Sequence, residues 1–156
     1  MADDWPDKRR EIAYTEARAV IEAQNTTMTD IDDKAMRTIQ LNAILLGLLV
    51  TGLQLAPAMF HTTSLQVAFG FLTISTLFGV TTYNESNLYV GPRGEYIEYL
   101  AEDEFPNPPW EVDLFETMAG MIAENYDDIR WNSGLLTATQ VTLVLGIIGA
   151  VTAVAI

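Results

Sequence analysis

The sequence predicts an all-α integral membrane protein with three transmembrane helices and two amphipathic cytoplasmic helices, the first of which runs on into the first span. Three observations predict it. The chain has 156 residues, 49% of them hydrophobic, yet it carries 21 acidic and 8 basic side chains. Those charges are segregated: none lies between Thr38 and Asn84, and none from Trp131 to Ile156. Within the charge-free regions, Leu41–Phe60, Leu65–Tyr83 and Leu135–Ile156 each have about 20 residues, or roughly 30 Å of helix, the thickness of a hydrocarbon core. A soluble helix of that length would carry a charged outer stripe, whereas a charge at a bilayer centre costs about 3 kcal/mol or more.

The elements follow in order. Pro6 stands where a first-turn proline belongs, with Asp3, Asp4 and Asp7 around it to favour the positive end of the helix dipole. Ala17, Val20, Ile21, Gln24, Met28, Ile31 and Ala35 then recur at spacings of three and four, with Glu11, Arg18, Glu22, Asp30 and Asp33 on the opposite side. No Pro or Gly interrupts the chain between Asp7 and Leu46, so this helix is expected to continue into the first span. It would reach Ala56, where Pro57 ends or kinks it, a length of roughly 75 Å. Asn25-Thr26-Thr27 is the expected place for a break. The turn around His61–Ser64 leads into the second span. Asn84, Asn87, Gly91-Pro92 and Gly94 are turn formers. A short acidic helix is expected over Glu95–Glu104 and an extended linker over Phe105–Pro109. Trp110, Leu114, Met118, Ile122, Tyr126 and Ile129 form the apolar stripe of a second amphipathic helix, which leads through Trp131, an interfacial anchor, into the third span. By composition the chain divides into a cytoplasmic helix (1–40), a transmembrane hairpin (41–83), a cytoplasmic acidic loop and helix (84–134) and a third span (135–156). The two amphipathic helices need cover for their apolar faces, either from each other or from another subunit.

Topology follows from the basic residues. Lys8, Arg9, Arg10, Arg18, Lys34 and Arg37 precede the first span, the His61–Ser64 turn has no Lys or Arg, and Arg93 and Arg130 lie between the second and third spans. The positive-inside rule places the N-terminus and residues 85–130 in the cytoplasm and the C-terminus at the outer face of the cell membrane. No cleavable signal peptide is expected, because the first forty or so residues are polar, with no early apolar core.

Composition excludes several functions. The absence of cysteine removes disulfide scaffolds, thiolate metal sites and thiol nucleophiles. The lone histidine, His61, leaves Ser64 and Ser133 without a His–Asp set. Asp30-Ile-Asp-Asp33 lacks the glycine and distal glutamate of a calcium loop, and there is no glycine-rich phosphate loop. No catalytic residue, metal or cofactor is therefore expected, and the protein is not expected to be an enzyme. A net charge of −13 argues against a nucleic-acid partner. Lys8 and Lys34 are the only lysines, and an acidic, lysine-poor surface suits a halophilic cytoplasm, where screening is short-ranged.

Small residues punctuate the spans. Ser75 and Gly79, Gly146 and Ala150, and Gly149 and Ala153 stand four apart, a spacing that lets helices approach closely in lipid, either within one subunit or between subunits. Gln54, Gln66 and Gln140 are polar groups at or inside the spans; they bond across helices or line a wet path. No ionisable group sits in a span, which argues against a proton-coupled pump.

The cytoplasmic helix carries Asp32-Asp33-Lys34-Ala35 just before a tight pair of spans, and a cytoplasmic helical segment and a last span follow. In this layout the chain, from Ala17 to Ile156, resembles the small transmembrane effectors of prokaryotic nucleotide-signalled antiviral defence, the Pycsar-type and SLATT-like families. The resemblance implies a membrane part that assembles as a homo-oligomer and breaches the bilayer when a cytoplasmic protein or nucleotide triggers it. Asp32, Lys34 and Ala35 would then lie at the coupling point between the cytoplasmic helices and the first span. No nucleotide pocket is evident, and Arg93 and Arg130 are the basic candidates for a phosphate contact outside the N-terminal helix. The alternative expectation is a non-catalytic membrane scaffold or accessory subunit that docks a partner through its cytoplasmic helices.

Overall fold

A computed structural model of the chain describes residues 5–84, 88–101 and 110–155. Among these, every regular element is helical: α1 (Trp5–Leu55), a single 3-10 turn (Pro57–Met59), α2 (Thr62–Asn84), α3 (Gly94–Ala101) and α4 (Trp110–Ala155). By length and composition α1, α2 and α4 are each able to cross a membrane. The expectations for Asp3 and Asp4, for Asn87 as a turn former, for the last residues of the acidic helix (102–104) and for the linker at 105–109 lie outside the described residues.

Helix α1 runs on into the first apolar stretch and is continuous through Asn25-Thr26-Thr27, the place most prone to break it. The side chains supply the reason. Asn25 Nδ2 donates to Ile21 O at 3.0 Å, Thr26 Oγ1 to Glu22 O at 3.0 Å and Thr27 Oγ1 to Ala23 O at 2.9 Å. Each polar group that competes with a helix elsewhere here folds back on its own preceding turn.

Pro57 acts as expected. Helix α1 stops at Leu55, and residues 57–59 wind into the 3-10 turn. Phe60 folds back over Gly52, where a Cβ would come within 2.9 Å of the ring. The backbone N–H of His61 then donates to Ala153 O at 2.8 Å, tying the hairpin turn to the end of α4.

By contacts the chain forms two compact units, Met1–Met28 with Asn87–Arg130, and Thr29–Ser86 with Trp131–Ile156. In the first unit α1 meets α4: Gln24 Nε2 donates to Ile122 O at 2.9 Å. Its interior holds Ile21, Met28, Met118, Met121 and Asn125. The expected stripe on α4 is thereby corrected. Trp110 and Tyr126 are 48% and 62% exposed, and Met121 and Asn125 take the inner positions instead. An Asn flanked by a Tyr reads as the polar neighbour of an apolar residue until its hydrogen-bond partners are known.

In the second unit the inner positions are Ile31, Ala35, Thr38 and Asn42 on α1, and Leu65, Ala68, Leu72, Ser75, Gly79 and Thr82 on α2. On α4 they are Asn132, Leu136, Thr139, Leu143, Gly146, Gly149 and Ala153. Spacings of three and four run through all three rows, as interlocking helix ridges require. The outward positions include Ile44, Leu48, Leu77, Val144, Ile148 and Val151. Small and polar side chains share the interior with Ile31, Leu65, Leu72, Leu136 and Leu143, while many large aliphatic side chains lie outside.

Candidate functional site

The centre of the second unit is a polar relay across three helices. Asn42 of α1 is fully buried, and its Nδ2 donates to Ser75 Oγ of α2 at 2.8 Å. Ser75 Oγ donates in turn to the backbone carbonyl of Thr139 on α4 at 2.7 Å. The Thr139 hydroxyl donates to Leu135 O at 2.9 Å, within its own helix. The Oδ1 of Asn42 has no hydrogen-bond partner, so the relay is satisfied at its donor end only. Gly79 sits beside it; a Cβ there would come within 2.8 Å of Ile39 and 3.4 Å of the Thr139 methyl. The relay fixes which face of α1 meets α2 and α4, because an amide buried among helices has to find a partner.

A double-mutant cycle on Asn42→Ala and Ser75→Ala measures the relay. The expected coupling is about 1 kcal/mol, the usual net worth of one hydrogen bond. Single and double variants that add without coupling would show that the two side chains do not act together.

Near the hairpin end, the same unit has an open apolar groove of about 550 Å³ lined by Leu45, Leu49, Phe60, Leu72, Ile147 and Val151 among others. Its floor offers no polar group to orient a ligand.

In the first unit, Asn125 clips an extended segment to α4. Its Oδ1 accepts from Tyr89 N at 2.8 Å and its Nδ2 donates to Tyr89 O at 2.9 Å. A longer contact, 3.3 Å, runs from the same Nδ2 to Gln24 Oε1. The Arg93 guanidinium lies 5.6 Å from the centre of the Tyr89 ring, within the range of a cation–π contact. Arg18 approaches the same loop, 3.3 Å from where a Cβ of Gly91 would stand. Tyr96 Oη donates to Asp113 Oδ2 at 2.6 Å, holding α3 to α4. A second cleft, about 390 Å³, is lined by Tyr14, Trp110, Leu114 and Phe115 with Glu11. At its edge Arg10 and Glu111 form an ion pair at 3.4 Å.

No family model matches this chain, and neither a curated protein nor a solved structure does.

The residues singled out in the sequence are distributed as follows. Ser75, Gly79, Gly146, Gly149 and Ala153 are buried inside the second unit, and Ala150 is half-buried beside the groove. Ala35 is fully buried, Lys34 is exposed and Asp32 is half-buried. The Lys34 carbonyl accepts from Thr38 Oγ1 at 2.8 Å. Arg93 stacks on Tyr89, and Arg130 is exposed. Arg18, exposed on α1 as its place opposite the apolar row implies, also comes near the loop that carries Arg93. Nothing in the sequence singled out Asn42 or Asn125, whereas Gln24 stands in the expected inward row of α1 and is half-buried there. For Asn42 the available signal was an amide inside an apolar run, where an unpartnered polar group is costly; Asn125 stands among charged residues and offers no such signal.

Proposed function

We propose that this chain is an integral membrane protein that self-associates and forms or gates a leak across the bilayer on a cytoplasmic trigger. The arrangement of the second unit carries the reading. A soluble bundle hides its leucines and valines, and large exposed apolar surfaces are rare on soluble proteins. Here Asn42, Ser75 and the Thr139 carbonyl meet inside, across three helices, and Ile44, Leu48, Leu77, Val144 and Val151 are outside, an arrangement that suits lipid, where tight packing and interhelical hydrogen bonds drive association. That outer surface also carries the exposed hydroxyls of Thr51, Thr73 and Thr137 and, within the spans, the exposed amides Gln54, Gln66 and Gln140. In hydrocarbon such groups favour a further copy of the chain or a wet path. Lys34 and Arg37 before the first span support a cytoplasmic first unit, which would receive the trigger. The resemblance through Asp32-Asp33-Lys34-Ala35 to defence effectors agrees with this assignment, as does the acidic surface with a salty cytoplasm.

The test is dye release from vesicles of phosphatidylethanolamine and phosphatidylglycerol in molar KCl. Release that rises more steeply than linearly with protein loading is the expected result. Vesicles that stay tight around inserted, oligomeric protein would overturn the leak and leave the second reading, a membrane scaffold. That reading is favoured by the cleft between Tyr14, Trp110 and Phe115, an aromatic surface suited to a docked protein. A stable co-purifying partner with no permeability change is its signature.

A further inference from the structure

One stripe of α1 carries two cations and then a run of large aliphatic side chains. Lys34, Arg37, Leu41, Ile44 and Leu48 recur at spacings of three and four, so they share one face of the helix. All five are exposed. Among the described residues neither Lys34 nor Arg37 forms an ion pair, in a chain with 21 acidic side chains. Asp30, Asp32 and Asp33 all lie farther from the charge-free stretch than Lys34 does. Along α1 the order outward from the apolar residues is therefore cation first, carboxylate second. The register of the second unit gives the depth. Asn42, Ser75 and Thr139 meet at one level. Lys34 stands eight residues before Asn42, Tyr83 eight after Ser75 and Trp131 eight before Thr139, each about 12 Å from that level along its helix. Tyr83 and Trp131 are 49% and 61% exposed, as interfacial aromatics are. Arg37 lies one turn nearer the relay, with a side chain long enough to reach back to the level of Lys34. From Arg37 to Leu48 is about 16 Å of helix, or roughly one leaflet of a ~30 Å hydrocarbon core.

We propose that this stripe seats one anionic phospholipid of the cytoplasmic leaflet, its phosphate between Lys34 and Arg37 and an acyl chain along Leu41, Ile44 and Leu48. The inference rests on the membrane reading above and adds a lipid ligand to it. A phosphodiester accepts paired hydrogen bonds from a guanidinium and offsets charge that no carboxylate of the chain pairs with. Phosphatidylglycerol brings that single negative charge, whereas a choline or ethanolamine head would set a third cation beside the first two. Parallel copies meeting here would set Lys34 and Arg37 against their own like charges, which disfavours a second copy as the occupant. A free phosphate would leave the three aliphatic side chains uncovered. Leu48 also lines the apolar groove near the hairpin end, so the end of the acyl chain meets further apolar surface.

The test reads which lipid lies beside the stripe. Trp5, Trp110 and Trp131 are replaced by Phe, and a single Trp is introduced by Ile44→Trp or, as the control on α2, by Ile74→Trp. The full chain is reconstituted in dilute KCl with mixed phosphatidylglycerol and phosphatidylcholine, one or the other carrying brominated chains that quench tryptophan. Both positions are exposed, 59% and 42%, and both lie within about 3 Å of the relay level, but α2 has no charged side chain between Thr62 and Asn84. Quenching at Ile44→Trp is expected to favour phosphatidylglycerol at least about fivefold, the contribution of one cation near an anionic surface, with little preference at Ile74→Trp. Lys34→Gln together with Arg37→Gln is expected to abolish the preference, while Lys34→Arg keeps it. Equal preference at both positions, or a preference that survives the double substitution, overturns the lipid seat and leaves the membrane reading standing. Shielding from both lipids at position 44 with quenching at position 74 overturns it in favour of a second copy. Quenching at neither position overturns the membrane reading and the lipid seat with it.

Discussion

Replacing Gly149 by leucine is expected to prise α2 from α4 and to destabilise the second unit by about 3 kcal/mol, the upper end of the usual cost of overpacking. A Cβ at Gly149 would stand 3.1 Å from both Cα and N of Ala68 and 3.2 Å from its Cβ. These are backbone atoms and a methyl group, and none can rotate aside. At Gly146 the nearest obstacle is different: Leu72 Cδ2 at 2.7 Å and Cγ at 2.8 Å, with Leu72 N behind them at 3.2 Å. A leucine side chain can change rotamer, so Gly146→Leu is expected to cost less than Gly149→Leu. One turn beyond Gly149, Ala153 O accepts the His61 N–H, and separation of the helices breaks that bond too. Thermal unfolding in detergent followed by circular dichroism gives the ranking, and amide exchange at His61 reports the local opening. A Gly149→Leu protein as stable as the parent would mean that α2 and α4 do not approach this closely.

The second large effect is expected from Asn125→Ala. It removes both hydrogen bonds to Tyr89 and the contact to Gln24. Tyr89 is half-buried, so water replaces these bonds in part, and the expected cost is about 2 kcal/mol. Hydrogen exchange at the Tyr89 amide should accelerate at least about tenfold, the equivalent of ~1.4 kcal/mol of lost protection. Asn125→Asp sharpens the test. A carboxylate still accepts from Tyr89 N, but it has no donor for Tyr89 O or Gln24 Oε1 and would bring an unpaired charge into a fully buried position. It is therefore expected to be at least as damaging as alanine. Unchanged exchange at Tyr89 in both variants would show that Asn125 does not hold this segment.

Much of the helical plan was legible in the sequence because its causes are local. Pro57 cannot continue α1, and the helix ends two residues before it. Whether Asn25-Thr26-Thr27 interrupts α1 was not legible, for an equally local reason. Asn and Thr side chains form hydrogen bonds with backbone groups in turns and in helices alike, and only the geometry shows that here they serve the helix. The stripe on α4 holds at Met118 and in part at Leu114, Ile122 and Ile129, but fails at Trp110 and Tyr126, which are apolar in bulk and are not covered. Asn125 is covered because Tyr89 and Gln24 supply its partners.

By itself the sequence determined that the chain forms long helices, where the charge-free ones lie and where the hairpin turns. Charge exclusion, helix length and proline geometry act within a few residues or along a single segment, so they can be read without knowing any neighbour. Only the tertiary structure decided which side of each apolar helix faces inward. Along a charge-free helix all faces are nearly equally apolar, so periodicity carries no direction. The direction arises when Asn42, Ser75 and the Thr139 carbonyl meet across three helices, and when the backbone of Ala68 comes so near Gly149 that a Cβ there would stand 3.1 Å from it.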